Sequence, residues 1–213
     1  MPTEPRSARG RLTRARLVDA GKTVFERDGF LVARITDIAT EAAVSHGAFY
    51  HYFDSKEALF LEIAEEIEVR LVSMDDIAKD LEPSTDPIER IRAANRSYLA
   101  AYKKEAKIMR VIEEVSRYNK DVRAVRVKRD HQLSLRLEAA IARLQSEGLA
   151  DARVDTRYAA MALGGMVARF AETMFVAGGR YNFDVAVDQL TLLWANSLGL
   201  TSEVKLGRRA KSA

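Results

Sequence analysis

The sequence predicts an all-α protein of about nine helices, and three observations carry that expectation. Apolar residues recur at spacings of three and four along almost the whole of the 213-residue chain. Good helix formers such as Ala, Leu, Glu and Arg dominate, and there are only 4 prolines to interrupt them. No stretch alternates apolar and polar residues as a half-buried strand requires.

The elements follow in order. Leu17, Ala20, Val24 and Phe25 make the stripe of a first helix, which Gly29 can close in a left-handed conformation. Ile35, Ile38, Ala39 and Ala42 give a second, too short to persist unless it packs on neighbours. Val44 falls in a tight connection, and Ser45 is a good N-cap for a third helix over 46–52. Asp54 and Ser55 then stop the chain and cap a fourth helix, whose Leu59, Phe60, Ile63, Ile67, Leu71 and Met74 lie on one side as it runs to about residue 80. "LEPSTDP" breaks it, and five more helical stretches follow. The expected organisation is a small unit over 1–55, a larger one over 56–200 with the 56–80 helix bridging the two, and a basic tail over 201–213.

Composition narrows the chemistry. The absence of cysteine excludes disulfides, thiolate metal sites and cysteine nucleophiles, and suits a cytoplasmic setting. No apolar run reaches 18 residues, so no membrane partner is expected. There is no nucleophile–base pair, phosphate loop or metal-ligand spacing, hence no expected catalytic residue, metal or cofactor. A net charge of +3 is too small to announce nucleic-acid binding by itself, but its distribution is uneven. Arg6, Arg9, Arg11, Arg14 and Arg16 read as a basic arm ahead of the first helix, and Lys205, Arg208, Arg209 and Lys211 crowd the other end.

The segment "AAVSHGAFYHYFDSKEALF" concentrates the unusual residues. Two short helices joined by a tight turn form a helix-turn-helix, whose second helix lies in the major groove of double-stranded DNA. Ile38, Ala39, Val44, Phe49 and Phe53 can face the interior with Val24 and Phe25, which leaves Ser45, His46, Gly47, Ala48, Tyr50 and His51 outside. These are small residues that allow close approach and donors that reach phosphates or base edges. Gly47 costs a helix about 1 kcal/mol against alanine. Contact with a groove wall, or steric relief against another helix, would each explain it.

"TRARLVDAGKTVFERDGF" followed by "ITDIATEAAVSHGAFYHYFDSKEALF" resembles the DNA-binding domain of the TetR family of transcriptional regulators over residues 13–60. The resemblance rests on Phe25 with Gly29 and Phe30, the "DIA" of Asp37 to Ala39, Val44 with Ser45, Gly47, Tyr50 with His51, Phe53, and the "SKEAL" of Ser55 to Leu59. It implies a homodimer that grips a palindromic operator, with effector pocket and dimer interface in the C-terminal helices. It also implies phosphate contacts from Tyr50 and Lys56, and a reading face at His46, Gly47, Ala48 and His51. Three positions depart from the family pattern: Ala43 where the turn often has glycine, Arg34 where Ser or Thr often caps the second helix, and His46 in place of a frequent lysine. Arg34 and Thr36, at the start of that helix, complete the expected DNA-binding set.

Beyond residue 60 the reading is physical. Small Ala162 beside Met166, with Leu190, Leu193, Trp194 and Leu198, suits half of an intermolecular four-helix bundle or an ordinary core. Tyr98, Tyr102, Met109, Ile112, Phe170 and Met174 suit an apolar effector. Arg169 interrupts an apolar helix and needs Glu172 or a ligand anion as partner. The run Arg123, Arg126, Lys128 and Arg129 could meet an anionic ligand such as an acyl-coenzyme A, or form a wet helix face. The functional expectation is a ligand-responsive, DNA-binding repressor; an architectural nucleic-acid-binding protein is the alternative, and an α-helical enzyme has least support.

Overall fold

Among the residues described by the computed structural model, 7–72 and 86–200, the chain forms nine helices and no strand. The first four are α1 (Ala8–Asp28), α2 (Ile35–Glu41), α3 (His46–Phe49) and α4 (Lys56–Val72). The other five are α5 (Pro87–Lys104), α6 (Ala106–Ser116), α7 (Lys120–Ser146), α8 (Thr156–Phe175) and α9 (Phe183–Ser197). The expected course of the fourth helix from residue 73 to 80, Arg6 and the tail over 201–213 lie outside the described residues.

Caps explain most boundaries. Ser7 accepts a hydrogen bond from the Gly10 amide at 3.1 Å, so α1 begins at Ala8. The expected basic arm is corrected by this: Arg9, Arg11, Arg14 and Arg16 lie inside α1 rather than ahead of it. Gly29, at φ 78°, ends the helix. Ser55 accepts from the Ala58 amide at 3.1 Å to start α4. Asp86 accepts from the Ile88 amide at 3.0 Å with Pro87 in the first helical turn, where a missing N–H costs nothing. α3 is shorter than the expected 46–52. The His51 and Tyr52 amides donate to the carbonyls three residues back, Ala48 at 3.2 Å and Phe49 at 2.9 Å, which tightens the chain into turns.

One buried core runs from Leu17 to Leu200. In its N-terminal part Phe25, Phe30 and Phe60 form a three-ring cluster, with centroids 4.9 to 5.6 Å apart, that fastens α4 to α1 and the loop after it. Gly21 lets these helices close, since a Cβ there would fall 2.7 Å from Leu59 Cδ2. α4 then packs on α5 and α7, so one continuous helix belongs to both halves of the core. Glu105, buried between α5 and α6, reaches Lys22 of α1 at 2.9 Å and Arg70 of α4 at 3.7 Å. In the C-terminal part α8 packs on α7, while α9 is clasped to α5 by Arg96–Asp184 at 2.7 Å, by Arg92–Asp188, and by Asn95 donating to Thr191 Oγ1 at 3.2 Å.

Removing the ring that fastens α4 to α1 should show in global stability. Phe60→Ala is expected to cost about 3–5 kcal/mol, measured by urea denaturation, because the cavity is enclosed by Phe25 and Phe30 and cannot collapse.

Candidate nucleic-acid interface and ligand cavities

α3 has one buried residue, Phe49, and its position fixes which way the rest of the turn faces. Phe49 and Phe53 sit in the core 5.8 Å apart, and the Arg14 guanidinium lies 4.9 Å over the Phe53 ring while pairing with Glu62 of α4. Ser45 caps the turn by accepting from the Ala48 amide at 3.2 Å. As a result Ser45, His46, Gly47, Tyr50 and His51 are all exposed, with Ala48 half-buried. Tyr50 is 48% exposed and meets the edge of His46 at 5.4 Å. A Cβ built on Gly47 meets nothing within 4 Å, so no other helix of the protomer requires glycine there.

The turn before α3 carries strain. Ala43 adopts φ 50°, the left-handed region where an L side chain crowds the backbone. Its conformation is held by hydrogen bonds: the Ala43 amide donates to Thr40 at 3.0 Å, and Arg16 Nη2 donates to the carbonyls of Ala42 and, at 3.3 Å, Ala43. Arg16 is therefore a brace between α1 and the turn.

Of the remaining expected DNA contacts, Arg34 and Thr36 are exposed at the start of α2. Arg34 occupies the N-cap without a side-chain cap bond. Lys56 is placed differently. Its ammonium donates to the carbonyls of Phe30 at 2.8 Å, Ala33 at 3.0 Å and Leu31 at 3.3 Å, and lies 4.8 Å over the Phe30 ring. All three N–H donors are occupied inside the protomer, so its charge is near the surface but its hydrogen bonds are taken.

Two cavities open in the C-terminal half. One, of about 200 Å³, is apolar, with Ile141, Leu144, Val167 and Trp194 in its walls. The second, of about 220 Å³, is polar and is lined by Tyr102, Arg126, Arg129, Asp130, Arg169 and Glu172. Tyr98, Leu133, Leu137 and Gly164 belong to both, so the cavities are adjoining lobes. Of the seven expected effector residues, Tyr98, Tyr102 and Arg169 line these lobes. Met109 and Ile112 do not, being wholly enclosed in the core on α6; Phe170 and Met174 pack against that core. Arg169 pairs with Glu172 at 2.7 Å.

The basic run on α7 is also not the open anion trap that the sequence suggested. Arg123 donates to the Ser116 and Arg117 carbonyls at 3.0 and 2.7 Å, and Arg126 pairs with Glu113. Arg129, 5% exposed, donates from Nη1 to the Tyr98 hydroxyl at 3.2 Å, and its Nε lies 3.3 Å from Glu68 Oε2 and 2.9 Å from Asp130 Oδ1. Neither Glu68 oxygen nor Arg129 Nε makes a contact with hydrogen-bond geometry. Burial holds the Glu68 carboxyl above its ordinary value, and the attraction of Arg129 and Arg126 only partly offsets it. Sequence reading missed this pair, although Glu68 falls on the apolar stripe of α4 between Ala64 and Leu71.

The expected dimer residues divide. Leu190, Trp194 and Leu198 face inward and are buried within the protomer, which corrects their assignment to a surface. Ala162 and Leu193 are exposed and Met166 is half-buried. Exposed apolar side chains in this half include Tyr158, Met161 and Ala162 of α8 and Val185, Leu192 and Leu193 of α9.

Comparison with known proteins agrees with this architecture. Residues 17–63 match the family model described as bacterial regulatory proteins, tetR family, and residues 84–192 match one described as a tetracyclin repressor-like C-terminal domain. The HTH-type transcriptional regulator YfiR of Bacillus subtilis is 41% identical over 51 residues, 24% of this chain and 25% of its own. The HTH-type transcriptional repressor KstR2 of Rhodococcus jostii is 40% identical over 50 residues, 24% of each chain. The matched stretch thus spans about a quarter of the length of these curated relatives. A solved TetR-family transcriptional regulator from Mesorhizobium loti superposes with TM-score 0.75 at 20% identity, covering 91% of this chain and 98% of its own, which shows a common fold.

Two measurements follow from this geometry. Ala43→Gly is expected to raise stability by about 1 kcal/mol in urea denaturation, because glycine adopts positive φ without a Cβ penalty. Glu68→Gln should reveal the buried carboxyl through pH. Because the folded state holds the Glu68 proton above the ordinary value of 4.5, its contribution is fully present below that pH and is lost as pH rises through the raised value. The melting temperature of the parent protein should therefore fall relative to Glu68→Gln between acidic and neutral pH; a relative rise would contradict the assignment.

Proposed function

The chain belongs to the TetR family of transcriptional regulators, and from that premise we propose that it is a homodimeric repressor of a palindromic operator, released by a small effector held in the C-terminal cavity. As a member of that family, and like its HTH-type relatives, it is a DNA-binding transcriptional regulator with a helix-turn-helix. The observation that carries the finer reading is Gly47: it is exposed on a capped turn, open to solvent, with no contact inside the protomer to explain it. Close approach of a duplex supplies the missing reason. His46, Tyr50 and His51 are exposed on the same turn, and Arg34 and Thr36 are exposed at the start of α2.

In this reading two α3 turns enter successive major grooves about 34 Å apart. The exposed apolar residues of α8 and of α9 support association of two copies through a four-helix bundle. KstR2 is named a repressor, which supports the same sense of regulation here. An effector acts by binding one dimer geometry better than the other, and its leverage equals that difference in affinity.

Selection of bound DNA from a random pool, followed by competition with unrelated duplex at fixed salt, tests this. A palindrome with half-sites about one helical turn apart is expected, bound at least about a thousandfold more tightly than random DNA. On that operator Gly47→Ala should weaken binding by about tenfold or more, while leaving stability unchanged or raised by up to about 1 kcal/mol. Full affinity with alanine at this position would remove the groove-wall explanation.

A further inference from the structure

We infer that the two adjoining lobes form one site for a single-chain amphiphile, whose apolar chain lies against Trp194 and whose anionic head pairs with Arg129 and Tyr102. This rests on the effector-responsive reading above and adds the chemical class of the ligand.

The apolar lobe settles one end. Its volume of about 200 Å³ exceeds the roughly 150 Å³ at which an apolar cavity in a protein takes up a ring such as benzene. Its walls are mostly isoleucine, leucine, valine and tryptophan, and this part offers little to a charged group, although Arg70, Arg90, Asn95 and Ser97 also stand in the lining. An occupant that stopped there would be a plain hydrocarbon. The polar lobe adjoins the apolar one, however, with Tyr98, Leu133, Leu137 and Gly164 lining both. The boundary between them is close-fitting, since a Cβ on Gly164 would fall 2.8 Å from Leu137 Cδ1, and a chain that spans both lobes passes where glycine leaves the least bulk.

The polar lobe settles the sign of the head. Its three arginines differ in what they have left to offer. Arg126 is paired with Glu113 and Arg169 with Glu172. Arg129 lines the lobe and is buried; its Nε lies against Glu68 and Asp130 without hydrogen-bond geometry and its Nη1 donates to Tyr98, which leaves Nη2 as the nitrogen for an entering anion. Glu68, the carboxylate behind it, is not part of the lobe wall. The group presented to an entering molecule is thus a guanidinium, and Tyr102 lines the same lobe. A carboxylate fits that pair, taking an ionic and a neutral hydrogen bond. Asp130 and Glu172, also in the wall, disfavour a bulky polyanion and favour a head with one charge.

The arrangement also links the head to α4. Arg129 approaches Glu68 of α4, so an anion on Arg129 competes with Glu68 for one guanidinium. α4 begins at Lys56, whose ammonium is fixed to the loop before the helix-turn-helix. A ligand head at Arg129 therefore acts on the helix shared by both halves of the core.

The test uses the full chain with decanoate and decanol as probes, which share a chain and differ in the head. Trp194 is the only tryptophan in the sequence, so its emission reports occupancy of the apolar lobe. Decanoate is expected to bind about tenfold or more tightly than decanol, the worth of one charge-assisted hydrogen bond in a buried setting. In the paired variant Arg129→Gln with Glu68→Gln, which removes both charges together, that preference should disappear. Tyr102→Phe, a change of one hydroxyl, should reduce it about threefold or more and serves if the paired variant does not fold. Equal affinities for the two probes, or no change in emission with either, would overturn the inference. A decanoate preference with unchanged operator affinity would uphold the site and overturn the effector reading instead.

Discussion

Burial of Phe49 at the foot of a four-residue helix is the constraint from which the rest of the interface follows. So short a helix has no stability of its own. It is held by the ring beneath it, by the Ser45 cap, and by Arg16 gripping the strained turn at Ala43. Once that ring is placed, the helical repeat turns Gly47, Tyr50 and His51 to the outside. The protein accepts a left-handed alanine and a helical glycine within five residues, each of which costs stability locally. Such costs gather where geometry serves something outside the protomer.

The second theme is how tightly the two halves are joined. α4 carries Phe60 in the aromatic cluster at one end and Glu68 beside Arg129 further along. Glu105 adds a route that bypasses α4, touching Lys22 of α1 directly. Glu68 and Arg129 are expensive groups to bury, and apolar residues of the same volume would pack at lower cost. Their retention is economical if the pair is a contact that something else can disturb. A continuous core means that a small shift of α4 moves rigid elements rather than dissipating in soft ones.

Much of this was legible in the sequence. The helical periods, the Ser45 and Ser55 caps, Gly29 and the "LEPSTDP" break are local signals, and local signals survive folding. The glycine-tyrosine-histidine face was legible because its neighbours Phe49 and Phe53 announced the opposite one. What sequence could not supply was direction for residues that are apolar or charged on more than one side. Leu190, Trp194 and Leu198 form a good stripe, but only the Asn95–Thr191 and Arg96–Asp184 contacts show that it faces α5 rather than a partner. Likewise the arginines of α1 and α7 read as free charge. Their partners, Glu62, Glu68 and Glu113 and the carbonyl of Ala42, lie on other elements, and helix packing brings them together.

The most direct test of the central claim uses the chain's histidines, of which there are only 3: His46 and His51 beside Gly47, and His131 exposed on α7. Rates of imidazole acylation by diethyl pyrocarbonate can be measured at each by mass spectrometry, with and without the selected operator. The account predicts that operator DNA slows modification of His46 and His51 severalfold and leaves His131 unchanged. Equal rates at all three in the saturated complex would contradict it, because the outer face of α3 would then not be the surface that meets DNA.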